Sequence, residues 1–143
     1  MSWRLFLAWL TAPMVGIVAL SVGMGIAGFL TGEEDALLAW TAVGSQWLFF
    51  FGAPAAYGLE LLVGLPTYRR LQRAERLRPR YVLPIAAALG LVALPVSWAF
   101  LFGTLSLGEL LFTAPLGAAG GFIGGAWFWF LGRAVFPTRK RPA

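Results

Sequence analysis

The sequence predicts an all-α integral membrane protein: four transmembrane helices in two hairpins, both termini cytoplasmic, and a short amphipathic cytoplasmic helix between helices 2 and 3. Three observations predict it. Hydrophobic residues make up 59% of the 143 positions and charged residues 12%, about half the charged share of an ordinary globular chain. Four long apolar segments recur along the chain. Every lysine and arginine falls on one side of the threading that those segments define.

The segments run over 5–30, 37–63, 81–102 and 110–135, each at or above the roughly 20 residues a helix needs to cross about 30 Å of hydrocarbon. Their hydrophobicity is continuous, whereas barrel strands alternate over short stretches. A helix also satisfies its own backbone polar groups, as a span in lipid must. The first segment is too long for the apolar core of a secretory signal, about 7–15 residues, and is expected to be retained. The four spans then form a single membrane domain, 1–143.

The connections set the orientation. The loop TGEED (31–35) and the loop GTLSLGE (103–109) carry only acids. The cations are Arg4, the six arginines of residues 69–80, Arg133, Arg139, Lys140 and Arg141. Positive residues beside span ends mark the cytoplasmic face. Both termini, the loop 66–80 and the basic tail 136–143 are therefore expected in the cytoplasm. Trp3, Tyr68, Tyr81, Trp127 and Trp129 fall near that boundary, and Trp40 and Trp98 near the outer one, as amphipathic rings prefer.

Within the loop, Tyr68, Leu71, Ala74 and Leu77 recur every three residues between Pro66 and Pro79. This pattern predicts a helix along the interface, apolar side down. Arg69, Arg70, Arg73 and Arg76 would then reach lipid headgroups, each worth about 1 kcal/mol at an anionic surface. The stretch is too short for a nucleic-acid module and lacks a stacking platform, so no nucleic-acid partner is expected.

Span four contains Gly117, Gly121 and Gly125 on one four-residue repeat, and Gly120 and Gly124 on another. Residues four apart share a helix face, and small faces let membrane helices approach closely. This glycine zipper is expected to pack on the milder stripe Ala19, Gly23 and Ala27 of span one, to join two copies, or to dock on a partner. Pro54 and Pro95 are the expected kink sites, since proline removes a helical hydrogen bond.

Chemical groups are scarce. The chain has no cysteine and no histidine, so thiol chemistry and the commonest general base and metal ligand are absent. No nucleophile stands beside a base and no carboxylate cluster suits a metal beyond the exposed Glu33–Asp35 run, so the chain is read as non-catalytic. Glu60 and Arg133 each lie 23 residues from the outer start of their spans, roughly 35 Å deep, and are expected to form an intramembrane ion pair. Ser21, Thr41, Ser45, Gln46, Ser97 and Thr113 are expected to act as interhelical glue.

No ligand motif for a cofactor is present, though a pigment, quinone or lipid held only by apolar contact would leave none. The leading functional expectation is an accessory subunit docked on a larger membrane complex, respiratory or photosynthetic, with membrane lipids as its other partners. The alternative is a small homo-oligomeric transporter or channel, its polar path lined by Gln46, Ser45 and Ser97. Arginine outnumbers lysine ten to one. With the abundant Ala, Gly and Pro, this suggests GC-rich coding and a bacterial inner membrane.

Overall fold

The apolar segments fold as helices in a computed structural model that describes residues 3–44, 46, 48–74 and 78–132. Helix α1 covers Trp3–Leu30. A tight turn, with Gly32 at φ 97°, leads into a second helical segment made of several pieces. These are α2 (Ala36–Leu38), π-helical Ala39–Gly44 and Leu48–Gly52, α3 (Ala53–Leu59), π-helical Glu60–Gly64, and α4 (Leu65–Arg73). Helices α5 (Pro79–Phe102) and α6 (Leu107–Gly132) complete the chain. No strand occurs among the described residues.

Helices α1, α5 and α6 are each long and apolar enough to cross a membrane. The distribution of side chains points the same way. Phe100 is 84% exposed and Leu62 77%, whereas the fully buried positions are small residues or hydroxyls, led by Thr113 and Ser21. A soluble protein would not leave so large an apolar surface uncovered. Large apolar side chains outside and small residues within is how helices pack in lipid.

The second segment departs from the uninterrupted span expected over 37–63. Its pieces have a local cause. Pro54 opens α3 and Pro66 opens α4, each two residues after a glycine, in Gly52-Ala53-Pro54 and Gly64-Leu65-Pro66. A proline cannot donate to the carbonyl four residues back, and its ring crowds that carbonyl. Those carbonyls belong to Phe50 and Leu62, inside π-helical stretches, where the wider turn relieves the crowding. Pro95, the other expected kink, lies inside uninterrupted α5.

The expected interfacial helix also differs. Gly64 and Leu65 keep helical angles, φ −62° and −64°, so α4 continues the second segment instead of lying apart from it. Its Tyr68 and Leu71 turn toward the bundle, while Arg69, Arg70 and Arg73 are exposed. Arg76 and Leu77 are outside the described residues.

At the other end of the molecule, α5 stops at Gly103, whose φ of 72° is the left-handed conformation that favours glycine at a helix end. Helix α6 begins slightly before the expected 110, for a reason written in SLGE. The Ser106 backbone N–H donates to Glu109 Oε2 at 2.7 Å, and the Glu109 N–H donates to Ser106 Oγ at 3.2 Å. This is a capping box, which satisfies two amides that a helix start leaves free.

Helix α6 is the hub. It packs most intimately on α5 and next on α1, while the second segment packs less tightly against α1 and α5. The C-terminal end of α1 meets α2, where Gly25 faces Leu37 and Gly28 faces Ala36.

Candidate functional site: an apolar cavity with one acid

The glycines of α6 divide between two neighbours. Toward α5, a Cβ on Gly117 would collide with the Gly90 carbonyl. One on Gly121 would collide with the Ala86 carbonyl, and one on Gly125 would stand 2.5 Å from the Ala86 methyl. Toward α1, a Cβ on Gly124 would stand 2.6 Å from the Ala12 carbonyl oxygen. Gly120 lies against the Leu20 side chain, and Gly16 of α1 approaches the Gly120 carbonyl in the same way. The glycines thus let backbone meet backbone on both sides of α6.

Span one contributes a different stripe from the one expected. Ala12 and Gly16 make the seam, whereas no described atom lies within 4 Å of a Cβ at Gly23, and Gly23 and Ala27 are exposed. Ala19 is half-buried. The working partners were visible in the sequence as Ala12/Gly16 and Ala86/Gly90, each four apart. Each is a single pair at the same four-residue spacing, without the run of glycines that marks span four.

With α6 clamped to α1 and α5, and the second segment standing off, a cavity of about 170 Å³ remains between all four segments. Its floor is glycine-rich α6. The second segment faces it with Gly52, Ala56, Glu60 and Gly64, four residues apart, and then with Tyr68 and Leu71 of α4. Pro13 and Ile17 of α1, and Leu89 and Ala93 of α5, close the sides. Glu60 is the one charged residue among the lining positions.

The Glu60 stem lies on the side of the cavity that carries an aromatic cluster. A Cβ on Gly64 would lie 3.4 Å from Glu60 Cγ and 3.6 Å from Trp9 Cζ3, so the acid stem and the indole flank one gap. Trp9 meets Tyr68 with centroids 5.6 Å apart and planes at 88°, and Phe128 at 5.2 Å and 69°. Tyr68 and Phe128 are 5.9 Å apart at 90°. These rings join Leu5, Ala8 and Val82 in the largest buried apolar cluster. Burial raises the Tyr68 phenol above its usual range, so it stays neutral at physiological pH. The Trp9 indole nitrogen is buried without a hydrogen-bond partner among the described residues.

The Glu60 side chain makes no ion pair or hydrogen bond among the described residues. Arg133, its expected partner, lies outside them. The polar residues expected as interhelical glue mostly satisfy their own helices. Ser21 Oγ donates to the Ile17 carbonyl at 3.0 Å, Ser97 Oγ to Ala93 at 2.7 Å, and Thr113 Oγ1 to Glu109 at 2.7 Å. Thr41 bonds the Leu37 carbonyl in the same way. A hydroxyl can always reach the carbonyl one turn back, which removes its need for a neighbour.

The cross-helix bonds come from aromatics instead. Trp127 Nε1–H donates to Thr11 Oγ1 at 2.9 Å, and the Tyr57 hydroxyl donates to the Leu10 carbonyl. Of the expected polar path, Ser97 lines the cavity and Gln46 is exposed away from it. Ser45 lies outside the described residues. Comparison with protein-family models, with curated proteins and with solved structures finds no match to this chain.

Proposed function

We propose that the chain is a non-catalytic, four-span integral membrane protein with cytoplasmic termini, which binds a small, largely hydrophobic organic molecule within the bilayer and works as a small transporter or carrier. The observation that carries this reading is the cavity, to which every helical segment contributes a wall. A bundle with a purely structural role would close such a partly open gap, since helices in lipid are held together by close packing. Ligand sites are concave and mostly apolar, with few polar groups, and lie between the helices of bundles. Of the residues the sequence offers for such a path, Ser97 and Glu60 border the cavity and Gln46 does not.

The second reading, an accessory subunit of a larger membrane complex, is favoured by one observation. The Ala19–Gly23–Ala27 stripe, unfilled at Gly23 by the described chain, is a surface on which a foreign helix could pack closely. Native mass spectrometry on protein extracted gently from its own membranes separates the two. The carrier reading expects a homo-oligomer with a bound small molecule, lost in Gly52→Leu. Gly52 borders the cavity, and no described atom lies within 4 Å of a Cβ built there, so a leucine side chain starts into open space and takes up cavity volume. A reproducible set of larger protein partners, with no small molecule, would establish the accessory reading instead.

A further inference from the structure

We infer that the cavity is a site for an organic monocation, an amine or quaternary ammonium carrying about one aromatic ring, held between the Glu60 carboxylate and the Trp9–Tyr68–Phe128 cluster. This inference rests on the carrier reading and names the chemical class of its guest.

Charge is the first argument. An ionised carboxylate among apolar walls is costly unless it is paired, and an ionisable residue at membrane depth usually marks a functional site. Glu60 borders the cavity, and no other described residue lining it carries a charge. Among the described residues no cation pairs with it. A guest with one positive charge completes the pair, and a dianion or a neutral polar molecule does not.

Ring geometry is the second. The three planes stand at 69°, 88° and 90° to one another. All three rings border the cavity, so a guest there meets aromatic surface, and the face of a ring is the part that favours a cation. That face carries the negative lobe of the ring quadrupole and attracts a cation within about 6 Å of the centroid. The attraction grows where water is excluded, as it is between packed helices. An alkylammonium head also gains apolar contact with the same rings, which a metal ion would not.

Size is the third. An engineered apolar cavity of about 150 Å³ takes up benzene, so 170 Å³ holds a single ring and part of a head group. A larger guest would have to extend out between the helices. The glycines at 52, 64, 117 and 121 keep the walls bare, and most of them sit where a side chain would enter this volume or the seams beside it.

The test uses a matched pair of probes on the full-length protein in maltoside micelles, with empty micelles as blank. Benzyltrimethylammonium carries the charge, and neopentylbenzene has the same shape without it. Titration calorimetry is expected to show the cation binding to the wild type, with affinity falling at least about tenfold in Glu60→Gln. It should fall several-fold in Phe128→Leu, which removes one π face. Neopentylbenzene binding should be unchanged in Glu60→Gln, which also shows that the variant keeps its cavity. Equal cation affinity in wild type and Glu60→Gln would overturn the inference. So would binding of neopentylbenzene with none of the cation, the result expected if Arg133 neutralises Glu60, and the carrier reading would then stand alone. Binding of neither probe would sink both.

Discussion

At the residue scale, what distinguishes one glycine from another is what stands opposite it. Gly121 has the Ala86 carbonyl and the Gly90 Cα against it, closer than any real Cβ approaches, while Gly23 faces open space. Gly121→Val must push α6 off α5 or be driven into strain, and overpacking of this kind costs about 1–3 kcal/mol. Gly23→Ala should cost nothing and gain slightly, because alanine is the better helix former. Thermal unfolding in detergent checks both: the midpoint should drop for Gly121→Val and hold or rise for Gly23→Ala. Equal effects would mean that the glycines matter through chain flexibility and not through the seam. The sequence showed this stripe plainly, because a four-residue repeat is a property of one helix. It could not show that the stripe serves two partners, since that depends on which carbonyls lie across from it. The hydroxyls are a related case. Ser21, Ser97 and Thr113 look like groups in need of a partner until the helix beneath them supplies one.

At the element scale, the second segment is where local chemistry overrides the hydrophobic pattern. Residues 37–63 are apolar enough to suggest one span, yet the helix widens into π turns just before Pro54 and Pro66. Pro13, Pro84, Pro95 and Pro115 sit inside regular helices, so proline alone is not sufficient. At 54 and 66 a glycine stands two residues ahead, and that pairing was available in the sequence as a repeated Gly-x-Pro. Pro54→Ala restores a donor and removes the ring, so the ladder over 48–54 should revert toward α-helix. Hydrogen exchange read by mass spectrometry is expected to slow in a peptide covering these residues, relative to wild type, while exchange in α1 stays constant. If the peptide exchanges at the wild-type rate, the π turn owes its existence to something other than the proline. The cavity was illegible for the same reason as the π turns' effect. It exists because this segment stands off from α5 and α6, and a standoff is a relation between elements.

At the scale of the whole molecule, the question is how often the chain crosses the bilayer. Three helices qualify by length and composition. The broken second segment from Ala36 to Gly64 still reaches roughly 40 Å at about 1.5 Å per residue, enough to cross despite its interruptions. Its crossing and the positive-inside orientation can be decided together, because the chain contains no cysteine and any introduced one is unique. Glu34, Gln72 and Thr104 are exposed and lie in the first connection, the end of α4 and the last connection. With a membrane-impermeant maleimide on spheroplasts, Glu34→Cys and Thr104→Cys should label at once, and Gln72→Cys only after permeabilisation. Glu34 and Gln72 labelling alike would mean that the second segment enters and leaves on one face, so that the cavity lies beside a three-span protein. The mirror pattern would place all the described arginines outside, against the charge rule. The expected pattern sets Glu60 and the aromatic cluster toward the cytoplasmic boundary, within reach of a cation drawn to an anionic inner leaflet.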